Sequence, residues 1–421
     1  MNKQIEKRIK EANRKAVERV LKSRPILVDI KQAREALPNL KKNLILHPGP
    51  PIDWKRMSGP LRGAIVGTMI FEELAENWED AIKLIESRQI EFSPSDDHSS
   101  VGPMAGVISP SMPVLIVKNQ TFGNTNFGRF VENKVQYGVF SKDAVQVLRF
   151  WAKTLGPVLG KAIRASNGID LKLLMAKALH MGDELHNRSI AGTTLFTNVL
   201  ATYLIDISDK EESNRVINYL QTNDIFFLCV SMTACKNMMN AACDTEYSTL
   251  VTNMARNGTD FGIKVSGLGN EWFVGRAQKI DGKYFPGYNH GDANPDIGDS
   301  AIIETAGIGA FALANSPAII ELIGSSVDEA LKYTSQMREI TITRNDTFSV
   351  PILDFQGTPT GIDIRKVIQR GILPVIDTAI AHKQPGIGMI GTGLVRPPIE
   401  AFKLALHAFG RKYKLKNKNM L

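Results

Sequence analysis

The stretch Ala176–Phe196, AKALHMGDELHNRSIAGTTLF, crowds two histidines, two adjacent acids, an asparagine and an arginine into the nine residues from His180 to Arg188. Such groups exchange protons, orient one another or hold a cation. The apolar spacing predicts a helix through this stretch. At 3.6 residues per turn, His180, Asp183, Glu184 and Asn187 would share an arc of roughly 100°, opposite Leu174, Ala178, Met181 and Leu185. Asp, Asn and His are poor helix formers, so a solvent-washed face has little reason to carry them, whereas a site or a buried polar network does. The pattern is not H-E-x-x-H, because His186 lies six residues beyond His180 and points elsewhere, so this helix alone makes no zinc site.

Further loops carry related chemistry. LHPGPPIDWKRMSGPLRGA follows an expected strand and opens a helix, setting His47, Arg56 and Arg62 beside backbone N–H groups suited to an anion. PSDDHSSVGPMAGVISPSMPV places Asp96, Asp97 and His98 ahead of a Gly/Pro loop. FPGYNHGDANPDIGDSAIIETAGIG holds Asn289, His290, Asp292, Asp296, Asp299 and Glu304. GIGMIGTGLVRPPIEAF runs through Gly391, Thr392, Gly393 and Arg396 to a helix N-terminus that could seat a phosphate or carboxylate, although it matches neither a P-loop nor a dinucleotide fingerprint. No G-x-S-x-G elbow is present, and no cysteine has a nucleophile context. The candidate catalytic residues are therefore His47, His98, His180, Asp183, Glu184 and Asn187. The candidate anion ligands are Arg56, Arg62, Arg188, Gly391, Thr392, Gly393 and Arg396. The sequence designates no metal ligands and no cofactor.

These loops need elements to hold them. Ile5, Ile9, Ala12, Ala16 and Val20 fall at helical spacing and predict an amphipathic first helix closed by Pro25. ILVDI, NLILH and MPVLIVKN predict buried strands around helices at KQAREAL, LRGAIVGTMIFEELA and WEDAIKLIES. From Ser141 to Ala255 helical patterns succeed one another with no strand between them. DFGIKVSG, EWFVGRA, VPILDF and LPVIDTAIA then predict strands, and IGAFALA, VDEALKYTSQM and the segment after RPP predict helices. The expected architecture is a multidomain α/β (or α+β) chain, with a central all-helical domain at 141–255 between mixed domains at 1–140 and 256–421.

A chain of 421 residues, 43% hydrophobic and 22% charged, can bury more than one core, which excludes the disordered and fibrous classes. The uncharged run Thr305–Ile320 is interrupted by Asn315, Ser316 and Pro317 and is too short for a membrane span. The first residues lack a secretory apolar core, and Cys229, Cys235 and Cys243 fit no zinc or redox spacing. A soluble, cytoplasmic chain with no membrane partner is expected. The net charge of +8 sits at the ends, +8 over residues 1–42 and +6 over 403–421, leaving the interior at −6. That distribution suits solvated termini better than a phosphate-backbone groove, so no nucleic-acid partner is expected.

Taken together, LHPGPPIDWKRMSGPLRGAIVG, DHSSVGPMAGVISPSMPV, ALHMGDELHNRS and GTGLVRPPIEAF resemble the YahG/YlbE-like family, bacterial proteins grouped as a domain of unknown function; the likeness runs from about Ile26 to Phe409. Some members are associated with anaerobic allantoin breakdown as a subunit of oxamate carbamoyltransferase, beside an acyl-CoA-synthetase-like subunit. The resemblance thus implies a carbamoyltransferase subunit handling oxalurate, oxamate and carbamoyl phosphate, in a homo- or hetero-oligomer. Side-chain chemistry offers Arg56, Arg62, Arg188 and Arg396 for the anions and His47, His98 and His180 for proton transfer, with Asp97, Asp183 and Glu184 to orient a histidine or hold a cation. Two alternatives stand beside this: a non-catalytic partner subunit whose polar residues form a buried network, and a metal-dependent hydrolase using His98, Asp97 and the 180–188 helix face.

Overall fold

The computed structural model describes residues 3–207 and 209–415; Lys416 and Lys418 of the basic C-terminal run lie outside them. The strands, in chain order, are β1 (Pro25–Gln32), β2 (Leu44–His47), β3 (Glu91–Pro94), β4 (Ser100–Val101), β5 (Pro113–Asn119), β6 (Thr125–Arg129), β7 (Ile169–Asp170) and β8 (Val251–Asn257). The series continues with β9 (Asp260–Val265), β10 (Phe273–Arg276), β11 (Asp281–Tyr284), β12 (Ile297–Gly298), β13 (Thr341–Val350), β14 (Gln356–Ile362), β15 (Ile376–Ala381) and β16 (Met389–Val395). With the helices between them they make a mixed α/β protein.

The apolar runs ILVDI and VLIV become β1 and β5, antiparallel neighbours with Leu27 opposite Val117, at the centre of a sheet ordered β4-β6-β5-β1-β7. A second sheet runs β10-β9-β8-β12 and a third β11-β16-β15, while β13-β14 and the parallel pair β2-β3 stand apart. The first helix, Lys3–Lys22, buries Ile9, Ala12, Ala16 and Val20 as its spacing requires. The same face buries Asn13, whose Nδ2 donates to Thr249 Oγ1 and Asp363 Oδ2 at 2.8 and 3.1 Å, while its Oδ1 accepts from the Thr249 N–H at 2.8 Å. The largest apolar cluster joins Leu27, Leu159, Phe196, Phe227, Ile303 and Phe348, so residues from all three expected segments share one core.

Several elements differ from the sequence expectation. The helical stretch 141–255 also contains β7, which pairs with β1, and the start of β8, whose Met254 lies opposite Ile263 of β9. VPILDF is not a strand: Val350 ends β13, Pro351–Leu353 is a single helical turn, and Asp354 and Phe355 at φ +52° and +57° turn the chain into β14. Two successive left-handed residues cannot continue an extended strand. IGAFALA is kinked 3-10 structure rather than a regular helix, with Ala312 at φ −115°. No helix among the described residues is long and apolar enough to cross a membrane.

Candidate functional site

The parallel pair β2-β3 puts His47 opposite Pro94, so both strands deliver a polar loop from their carboxyl ends at the same point. Open parallel sheets place ligand chemistry at that edge. After β2, Gly49 takes φ +82°, and a Cβ there would lie 2.5 Å from the Arg256 carbonyl carbon of β8; only glycine permits the approach. Asp299 ties this loop to the next, accepting the Gly49 N–H at one carboxylate oxygen and the Gly102 N–H at the other, both at 2.9 Å. Burial pushes the Asp299 carboxyl up to about 7 against the lowering effect of those N–H groups.

His47 is buried, and its Nδ1 lies 2.9 Å from the Pro48 carbonyl. A carbonyl can only accept, so Nδ1 carries the hydrogen and Nε2 keeps a free lone pair. Burial pulls this histidine down to about 4, leaving it neutral, with the Asp97 charge opposing only in part. His98 is half-buried, sits 3.0 Å from Ser93 Oγ through Nε2, and is also lowered by burial and raised in part by Asp97. Both histidines therefore feel the charge of one carboxylate, Asp97.

Two lysines that sequence reasoning missed close this edge. Lys236, on the helix Phe227–Asn240, pairs with Asp96 Oδ1, and Lys264 of β9 bridges Asp96 Oδ2 at 2.6 Å and Asp97 Oδ1 at 2.7 Å. Both ammonium groups are nearly inaccessible, at 3% and 5% side-chain exposure, whereas Asp97 is 37% exposed. Asn253 also donates to Asp96 at 2.7 Å, and the Trp272 ring covers Lys264 at 4.7 Å. Burial alone would raise Asp96, but the two ammonium groups and their hydrogen bonds outweigh it and hold the carboxyl below its ordinary value. Lys236 had a legible signal, a single charge in the apolar run FLCVSMTACKNMM. In β9, the alternation of DFGIKV concealed Lys264.

Behind this edge lies a buried polar layer. Arg256 of β8 grips Asp296 through Nε and Nη2, at 2.6 and 2.9 Å, and donates from Nη1 to the Gly298 carbonyl at 2.8 Å. His186 Nδ1 lies 2.7 Å from Glu304 Oε1 and 3.2 Å from Asp377 Oδ1. One ring hydrogen serves the nearer oxygen, so both oxygens of Asp377 and the second of Glu304 are buried without a hydrogen-bond partner. Burial opposes a charged imidazole, but Glu304 and Asp377 outweigh it and push His186 up to about 10. Burial also raises Glu184 well above the carboxylate range, helped by the neighbouring Asp377. Among the described residues, His186, Glu304 and Asp377 are the group of metal-capable side chains whose ligand atoms all fall within 4.8 Å of one another. It includes neither His98 nor Asp97, the residues named for the metal-dependent hydrolase.

The helix expected through Asn187 stops at His180. Gly182, at φ +91°, donates to the Leu179 carbonyl, and Asp183 N–H reaches back to Ala178 O at 3.1 Å. This is a glycine-terminated C-cap, whose sequence mark was the glycine of HMGD. His180, Asp183, Glu184 and Asn187 consequently do not share a face. His180 is exposed, with Nε2 2.9 Å from Ser349 Oγ and its ring edge-on to Phe355. Asp183 instead caps the following helix, Ile190–Ile207, accepting the Gly192 N–H at 2.8 Å and pairing with Arg188 at 2.5 Å. Asn187 is half-buried with an unpartnered Nδ2.

The remaining anion ligands are occupied elsewhere. Arg56 binds both oxygens of Asp260 at 2.8 Å, and Arg62 donates to the Trp54 and Lys55 carbonyls, closing its own loop. Gly391, Thr392 and Gly393 lie in β16 between β11 and β15, not in a phosphate loop. A Cβ at Gly393 would meet Asp281 O at 2.1 Å, so strand contact explains that glycine. Arg396 donates to the Leu373 carbonyl and to Gln336. Asn289 and Asp292 close an exposed turn, whereas Asp296, Asp299 and Glu304 of the same segment enter the interior.

Comparison with known proteins adds a family. The family model described as oxamate carbamoyltransferase subunit AllG matches residues 90–300. The chain is 45% identical to the uncharacterized protein YahG of Escherichia coli (strain K12) over 96% of its own length and 87% of that protein. It is 39% identical to the oxamate carbamoyltransferase subunit AllG of the same organism, over 95% of this chain and 97% of that one. A crystal structure of a conserved protein of unknown function from Enterococcus faecalis V583 superposes with a TM-score of 0.95 at 46% identity, covering 97% of this chain and 99% of the other.

Proposed function

The chain belongs to the family of the oxamate carbamoyltransferase subunit AllG, and from that premise we propose that it is a subunit of a carbamoyltransferase acting on oxalurate, oxamate and carbamoyl phosphate. The near full-length likeness to a subunit of that enzyme carries the reading. In the phosphorolytic direction a phosphate oxygen bonds to the carbamoyl carbon of oxalurate as its bond to the amide nitrogen breaks. The proton of hydrogen phosphate ends on that nitrogen, giving oxamate and carbamoyl phosphate. The reaction needs fixed cations for two anions and a group to pass one proton.

At residue level, Lys236 and Lys264 supply the cations. Lys264 already holds Asp97, the most exposed member of the group, and an incoming phosphate or carboxylate takes Asp97's place on it. Neutral His47, with its free Nε2, and half-buried His98 are the proton carriers on the same edge. A second reading is a partner subunit without its own catalysis, favoured by the mutual neutralisation of Asp96, Lys236 and Lys264. An acyl-CoA-synthetase-like chain is the partner proposed for either reading, in the cytoplasm.

Calorimetric titration with carbamoyl phosphate, oxamate and inorganic phosphate tests the site. Saturable binding abolished in a folded Lys264→Met variant is expected. Absence of binding to the wild-type chain, both alone and in its native complex, removes the catalytic reading.

A further inference from the structure

We propose that His186, Glu304 and Asp377 form an occluded binding site for one divalent cation of the Mn²⁺ or Zn²⁺ type. The proposal stands independently of the carbamoyl-transfer reading. Three separate segments deliver the ligands: the turn after the glycine cap, the short helix Ile302–Thr305, and the start of β15. Each side chain is at most 3% exposed, and one imidazole nitrogen and two carboxylate oxygens lie within 4.8 Å of one another. A metal with bonds of about 2.0–2.2 Å fits a triad of that size.

The second observation is the unmet demand of these groups. Both oxygens of Asp377 and Oε2 of Glu304 are buried with no donor. A buried carboxylate without a partner is expensive, and native structures supply it with a hydrogen bond or a cation. One imidazole hydrogen cannot serve three oxygens, and a proton held by the raised Glu184 can satisfy one Asp377 oxygen at most, which leaves the other Asp377 oxygen and Oε2 of Glu304 without a donor. A divalent cation bound to neutral His186, with the ring hydrogen released to solvent, meets Asp377 and Glu304 together.

The surroundings are shaped for the carboxylates. Gly309 takes φ +65°, and a Cβ there would lie 2.2 Å from Glu304 Oε1, so the carboxylate occupies the space a side chain would fill. Glu184 accepts the N–H groups of His186 and Arg188 and so fixes the turn carrying His186 from outside the ligand set, as partners of metal ligands do. One imidazole with carboxylates and no thiolate selects a borderline-to-hard divalent ion.

The test uses the full chain, purified without chelator and assayed by elemental analysis, then dialysed against EDTA and titrated calorimetrically with Mn²⁺ and Zn²⁺. About one ion per chain is expected, with a raised melting temperature. Glu304→Gln and Asp377→Asn should weaken binding by at least the roughly 10–100-fold lost with an outer-shell partner. Lys264→Met should leave metal binding unchanged, which separates this site from the anion edge. Failure of the wild-type chain to retain or bind either ion overturns the proposal, whether or not the variants fold. A higher melting temperature of Asp377→Asn without metal, with wild-type metal affinity retained, also overturns it.

Discussion

Arg256 and Asp296 meet side-on through two N–H···O contacts, with neither side chain more than 3% exposed. Removing one member of such a pair strands the other charge in the interior. Asp296→Ala is therefore expected to cost about 3–5 kcal/mol, read by urea unfolding. A cost under about 1 kcal/mol would show that Arg256 finds another partner.

Two buried groups make stability depend on pH with opposite signs. Folding raises Asp299 from 3.8 to about 7, so its contribution is complete below about pH 4 and is lost as pH rises through 7. Folding lowers His47 from 6.5 to about 4, so its contribution is complete above pH 6.5 and is lost as pH falls towards 4. Relative to wild type, Asp299→Asn should gain stability as pH rises from 4 to 7, and His47→Gln should lose it as pH rises from 4 to 6.5. Chemical unfolding across pH 4–8 checks both slopes, and a flat difference curve removes the cause assigned to that residue.

Asp97 and the substrate anion compete for Lys264 in the proposed site. Asp97→Asn should then tighten phosphate or carbamoyl phosphate binding by roughly 5-fold, the effect of about 1 kcal/mol of released competition. Weaker binding in this variant would mean that Asp97 assists the ligand instead.

Gly182 and Gly49 both take positive φ, but their surroundings differ. A Cβ at Gly182 would find nothing nearer than 3.8 Å, whereas one at Gly49 would lie 2.5 Å from the backbone of β8. Gly182→Ala should cost only the left-handed conformation, about 1–2 kcal/mol, and Gly49→Ala distinctly more. Equal melting temperatures for the two variants would contradict this.

His180 sits outside both polar clusters. His180→Ala should change stability by no more than about 0.5 kcal/mol and leave anion and metal binding untouched. A loss of either activity would return the histidine to the site.

Sequence patterns were informative wherever one element dictated its own structure. The first helix, β1, β5 and the loop after β2 were legible; His47 and His98 were named for proton transfer together with His180, which lies against Ser349 instead. The end of the helix at His180 was also written in Gly182, but the apolar repeat through Leu185 carried the helical pattern past it. The partners that complete the clusters were not legible, because their meaning comes from distant segments. Asp377 stands in the apolar run VIDTAIA, and only the packing of β15 against the turn at His186 makes it a partner of that histidine. Glycines gave the opposite error: Gly391 and Gly393 suggested a phosphate cradle where close strand contact required them.

The hold of Asn13 on Asp363 sets a timetable for synthesis. These side chains are 350 positions apart in the chain, so at roughly 5–20 residues per second the first helix emerges from the ribosome about 20–70 s before its last polar partner exists. During that interval Ile9, Ala16 and Val20 have no complete surface to cover them. A helix made early in synthesis is therefore among the last to be locked.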